Sequence, residues 1–147
     1  MNPSQLEKGL PPIRQCRPVY RCALLVGIML ILLAALHAVL GLNEILSAIR
    51  VGDIGKDFAA TIMISWIFTG LALFLIGAWI LFLSKDLKRL ERKAWWQGFF
   101  VAGSLSAFGG ACWYYFPQAY FLIGFMLIGL ILLIPLLLYA PRYFSKR

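Results

Sequence analysis

Residues 22–42 read CALLVGIMLILLAALHAVLGL, twenty-one consecutive positions without a formal charge. At a rise of 1.5 Å per residue, a helix of that length covers about 30 Å, the thickness of a bilayer's hydrocarbon core. The run is longer than the apolar segment of a signal peptide, and no small-x-small pair follows a short apolar stretch. It is therefore expected to remain as a first transmembrane helix. The rest of the chain has the same character. Of 147 residues, 62% are hydrophobic and 14% charged, whereas soluble domains are roughly 45–50% apolar. The mean hydropathy is +0.84.

Working outward, the charges gather in four patches separated by apolar runs. Residues 1–20 hold Pro3, Pro11, Pro12 and Pro18 with Lys8, Arg14 and Arg17, and read as a mobile basic tail. Residues 21–140 read as a four-helix transmembrane domain with spans at about 22–42, 58–84, 95–116 and 119–140. Gly52 and Gly55 break the pattern in the first loop, where Ile45, Leu46 and Ile49 still fall at helical spacing. The run KDLKRLERK, residues 85–93, reads as a solvated basic helical connector, and residues 141–147 as a basic C-terminal tail.

Charge fixes the expected orientation. Four spans put the N-terminal tail, the second loop and the C-terminal tail on one side, with four, five and three Lys or Arg, against Arg50 and Lys56 on the other. By the positive-inside rule both termini are cytoplasmic, giving an all-α, multi-pass protein of a bacterial inner membrane. The net charge of +8 is then explained by topology and by anionic lipid headgroups at the cytoplasmic face, and nucleic acid is not an expected partner. Cys16, Cys22 and Cys112 form no CxxC and, with a single histidine, give no zinc spacing. Neither a metal nor a cofactor is expected.

The polar groups inside the spans mark the candidate site. His37, the only histidine, precedes Gly41 and Glu44 by four and seven positions, so all three share one helical face. Intramembrane imidazoles are functional candidates by default, and imidazole exchanges a proton near neutral pH. In the second span Thr61, Ser65 and Thr69 recur every fourth residue, with Trp66 beside them. His37, Glu44, Thr61, Ser65 and Trp66 fall at a similar depth and form the expected ligand-binding set. The competing reading of His37 is a structural hydrogen bond, to Ser65 or Glu44. No nucleophilic triad, HExxH, GxSxG or phosphate loop is present, so no catalytic residue is assigned. In the third span Gly98, Ala102, Ser106 and Gly110 form a small-residue row that predicts close helix packing, with Gly103, Ala107 and Ala111 beside it. That composition places the third helix at the bundle centre, and Pro135 predicts a bend in the fourth.

His37-x-x-x-Gly41, followed in the next span by Ser65-Trp66-Ile67-Phe68-Thr69-Gly70 and Gly77, resembles an uncharacterised family of small four-span bacterial inner-membrane proteins, a domain of unknown function. The resemblance covers the first two spans and implies a four-helix fold without implying an activity. The expected function is a non-enzymatic accessory or small hydrophobic-ligand-binding protein with a shallow outer-leaflet pocket. The alternatives are a homo-oligomeric small transporter or proton-coupled exporter, and a membrane enzyme acting on a lipid or quinone.

Overall fold

The computed structural model describes residues 16–52, 55–118 and 122–145, without the side chains of residues 56 and 57. Those residues form five helices: α1 (Arg17–Val51), α2 (Lys56–Lys88), α3 (Arg92–Tyr115), α4 (Ile123–Leu138) and α5 (Ala140–Phe144). The described fold is all-helical, and α1 and α2 are long and apolar enough to cross a membrane. α1 pairs with α2 and α3 with α4. These two hairpins meet through α1 and α4, and more sparingly through α2 and α3.

Several boundaries differ from those expected. Residues 17–20 belong to α1 and not to a free tail, because Pro18 lies in the first turn, where its missing N–H costs no hydrogen bond. Residues 1–15 of the expected tail lie outside the described residues. At its other end α1 continues through the loop region to Val51, and Gly52 closes it in the left-handed conformation, φ 81°, with its N–H on Ala48 and Ile49 carbonyls. α2 ends at Lys88, so the 85–93 run is not one continuous helix. Leu90 takes a positive φ of 61°, with Leu90 N–H on Leu87 O and Glu91 N–H on Asp86 O, the bond pattern of a Schellman turn. Glycine is usual there, which is why the sequence does not announce the stop.

The expected C-terminal tail also begins with a folded segment. Tyr139 ends α4, α5 follows, and Tyr143 is buried with its hydroxyl donating to Leu87 O at 2.7 Å. Residues 146 and 147 lie outside the described residues. Cys16 N–H reaches Lys88 O at 3.0 Å, so one helix end gathers α1, α2 and α5. Trp95 completes this clamped end by donating Nε1–H to Leu136 O at 2.9 Å and packing against Phe99 and Phe144.

Small residues set the helix contacts. Gly27 and Gly77 bring α1 and α2 to backbone contact: a Cβ on Gly77 would stand 2.9 Å from Gly27 O and 3.1 Å from Ile31 N. In the second hairpin Gly129 lies against Ser106 and the Ala102 carbonyl, and Gly109 against the Met126 backbone. Gly98, Ala102, Ser106 and Gly110 all turn toward this seam, but the buried row is Gly98, Ala102, Leu105 and Gly109. A strict four-residue step advances 400° and overshoots a full turn by about 40°, so the contact face slips back by one residue over three steps. Gly103 meets nothing and Ala107 and Ala111 are exposed, so the row beside it does not pack. Nor is α3 central: its backbone does not approach α1, whereas α4 touches both α3 and α1. Small side chains permit close approach on one face without requiring neighbours on every side.

The core cluster runs from the clamped end to about Ala34, Leu73, Leu105 and Ile128, and among the described residues it takes no buried side chain from 35–72 or 106–127, where only the half-buried Phe125 packs against it. Beyond that level each hairpin is held within itself, and a cleft separates the two.

Gly109→Ala is expected to destabilise the fold by about 1–3 kcal/mol, as overpacking against fixed backbone does. Gly110→Ala, which meets only Met126 Sδ at 3.7 Å, should be near neutral, and thermal unfolding of the two variants in detergent compares them. Burial pushes the Tyr143 phenol well above its ordinary 10.0, and the neighbouring Cys16 adds to the shift. The folded state therefore favours the neutral phenol, so this contribution is complete below pH 10 and is lost as pH rises from there toward the folded value. Tyr143→Phe should cost about 1 kcal/mol at neutral pH through the lost hydrogen bond. It should also lose less stability than the wild type when unfolding is followed above about pH 10.

Candidate functional site

Where the core ends, α1 and α2 are joined by a different device. Gly41 sits one turn after His37 and is buried, and a Cβ there would run into the indole of Trp66. The missing side chain lets that indole lie across α1 and donate Nε1–H to the backbone carbonyl of His37 at 2.8 Å. The same indole stacks on the His37 imidazole, with ring centroids 4.0 Å apart and planes 7° from parallel. Gly70, one turn further along α2, faces the imidazole edge, a Cβ there lying 3.6 Å from His37 Cδ2. His37, Gly41, Trp66 and Gly70 thus form one clasp. It combines an indole–imidazole stack with a hydrogen bond to a carbonyl already serving the helix.

The clasp leaves one polar atom unsatisfied. His37 Nε2 is buried and has no hydrogen-bond partner among the described residues. Such an atom costs about 1–3 kcal/mol if it stays unpaired. The expected structural bond from His37 to Ser65 or Glu44 is thus not made through Nε2.

Of the five expected ligand-binding residues, His37, Thr61, Ser65 and Trp66 line one compartment of about 430 Å³, together with Phe58 and Thr69. Glu44 does not join them: it is exposed on α1 and lines none of the recorded grooves. Seven residues from His37 return a helix nearly to the same face, but the carboxylate lies two turns further out, beyond the clasp. Thr69 bonds its hydroxyl back to Ser65 O at 2.8 Å, a common use of a helical threonine.

A second compartment, about 460 Å³, continues from Thr69 toward the core between α2 and the second hairpin. Its walls include Leu73, Ile76, Val101, Leu105, Phe108 and Phe125, with Ser104 also facing it. On α2 the two compartments share a single stripe, residues 58, 62, 65, 69, 73 and 76, which averages 3.6 residues per step and so stays on one helix face. The α3 and α4 walls were not anticipated from sequence. The signal that could have found them is this stripe, whose polar members lie at one end and whose apolar members continue past them.

Among the described residues no group of three His, Cys, Asp or Glu gathers in a way that could hold a metal ion. Cys16, Cys22 and Cys112 are free thiols.

Gly41→Ala is expected to expel the indole from its seat and lower stability by about 1–3 kcal/mol, with a shift in tryptophan emission. Trp66→Phe removes the bond to the His37 carbonyl and should cost about 1 kcal/mol beyond the lost packing. Unfolding and emission spectra of both variants test the clasp. The chain matches no family model, no curated protein and no solved structure.

Proposed function

We propose that this chain is a four-span protein of a bacterial inner membrane with both termini cytoplasmic, and that it works as a non-enzymatic accessory protein holding a small hydrophobic ligand in its outer half. The observation that carries the ligand reading is a pair of grooves that adjoin at Thr69, one with His37, Thr61 and Ser65 in its lining and the other almost wholly apolar.

Several features support the membrane placement. Large apolar side chains face outward along the helices, among them Leu32 on α1, Phe68 and Phe82 on α2 and Leu138 on α4. Phe82 is 80% exposed and Phe68 70%, a surface that soluble proteins avoid beyond limited patches. α1 and α2 each have the length and apolarity to cross. α3 carries no charge from Ala94 to Tyr115, and α4 is apolar throughout. α3 and α4 join the first hairpin at the clamped end and share its apolar character, and we read them as crossing beside it. The clamped end bears Arg17, Arg21, Lys85, Lys88, Arg89 and Arg92, which suits the cytoplasmic face and its anionic headgroups. Lys88 and Arg92 lie over the rings of Tyr20 and Phe144, as basic residues of an interfacial belt do.

In this orientation the clasp and the polar compartment lie in the outer leaflet, and the clamp at the inner face.

A reporter fused to the C-terminus should be active only in its cytoplasmic form. Lipid-resolved mass spectrometry of the purified protein should find one hydrophobic species retained per chain and lost when the cleft is filled. A periplasmic C-terminus would remove the topology, and a protein that retains no species under gentle detergent extraction would remove the binding role.

A further inference from the structure

At the clamped end one face of α3 carries charge and aromatic surface together. Arg92, Trp96 and Phe100 recur every fourth residue and are all exposed, so they stand in one row that runs from the start of the helix into its apolar part. Lys93 and Gln97, also exposed, begin the row beside it. The buried residues of this helix, Ala94, Trp95 and Gly98 among them, lie on the opposite side.

Ring contacts tie this face to α5. The Arg92 guanidinium lies over the Phe144 ring at 5.0 Å, Phe144 meets Trp96 edge-on at 6.1 Å, and Trp96 lies against Phe100 at 6.0 Å. A cation–ring contact consumes none of the guanidinium's N–H donors, whose fork matches the oxygens of a phosphate. Phe144 thus orders Arg92 without neutralising it. Below the charge, Trp96 and Phe100 are 46% and 65% exposed, and they lie about 6 and 12 Å along the helix from Arg92. That is the depth of the first acyl carbons beneath a headgroup.

The neighbourhood selects the sign of the head. Among the described residues the clamped end holds eight Lys or Arg, at positions 17, 21, 85, 88, 89, 92, 93 and 142, against the carboxylates of Asp86 and Glu91. A zwitterionic head would set its ammonium among these cations. A phosphate with an uncharged polyol head brings only the charge that they lack, and the exposed amide of Gln97 suits its hydroxyls.

Resting on the membrane placement proposed above, and separate from the outer ligand, we propose that this face of α3 with α5 binds one inner-leaflet anionic phospholipid of the phosphatidylglycerol class. Its phosphate lies at Arg92 and Lys93, its polyol head beside Gln97, and one acyl chain over Trp96 and Phe100.

The test uses the full-length protein, delipidated in detergent, with dioleoyl phosphatidylglycerol and dioleoyl phosphatidylcholine as probes and native mass spectrometry as the readout. One phosphatidylglycerol per chain should be retained, about ten-fold more tightly than phosphatidylcholine, and Arg92→Gln with Lys93→Gln should cut that preference to about two-fold or less. Both side chains are exposed, and thermal unfolding checks that the pair still folds. Arg21→Gln with Lys85→Gln removes the same charge from the first hairpin and should leave the preference within about two-fold of wild type. Ser104→Trp, placed in the neighbouring groove between α2 and α3, should leave phosphatidylglycerol retention unchanged. Equal loss in the two charge pairs would mean attraction by overall charge and would overturn the site. So would equal retention of phosphatidylcholine, or displacement of phosphatidylglycerol by Ser104→Trp. These three results leave the outer ligand and the topology standing, whereas a periplasmic C-terminal reporter would remove the membrane placement and this site with it.

Discussion

The C-terminus of α2 is the point on which the remaining structure depends. An α-helix leaves its last four carbonyls without intrahelical donors, and a partly buried end must find them elsewhere. Here Lys85 O accepts from Arg89 and Asp86 O from Glu91. Leu87 O accepts from both Leu90 and Tyr143, and Lys88 O from Cys16. One helix end thereby fixes where α1 starts, how the chain turns into α3, and where the segment after α4 returns. The turn requires a positive φ from Leu90, a conformation that costs a non-glycine residue about 1 kcal/mol. Leu90 packs against the core cluster in return.

From this clamp the helices diverge because of where small residues occur. In lipid, apolar faces gain little by leaving their solvent, so association depends on close packing and on hydrogen bonds. Gly27 with Gly77, Gly109 with Met126 of α4, and Gly129 with Ala102 and Ser106 of α3 close each hairpin along its own seam. No comparable pair joins α2 to α3, whose facing residues include Phe100 and Phe108. Those rings line the groove that separates the two helices.

The His37–Trp66 clasp is what keeps the first hairpin closed beyond the core. It shares the logic of Trp95 at the other end: in both cases an indole N–H crosses to a backbone carbonyl of the partner helix, His37 O in one and Leu136 O in the other. Indoles suit this use because one side chain supplies both a large apolar surface and a donor. The difference lies in what remains over. Trp95 sits in a satisfied aromatic cluster, whereas Trp66 holds an imidazole whose Nε2 has no partner among the described residues. The imidazole therefore serves the clasp through its ring and its backbone carbonyl, while its Nε2 is left over.

Much of this was legible in the sequence. Uncharged length predicts α1 and α2, and helical spacing alone brings Thr61, Ser65 and Trp66 to the neighbourhood of His37, because these are properties of one helix or of depth along it. What sequence could not decide involves the azimuth of one helix against another. Gly41 reads as a small residue below a histidine, yet its role is to admit an indole from 25 positions further along the chain. Gly109 replaces Gly110 in the tight contact, Glu44 falls outside the site, and α3 lies at an edge. The stop at Lys88 is likewise hidden, since tertiary contacts and not a glycine stabilise the turn at Leu90. The sequence by itself determined which segments are helical and apolar and at what depth their polar groups lie. Only the tertiary structure decided which faces meet, because a shift of one residue rotates a helix face by about 100° and exchanges one set of neighbours for another.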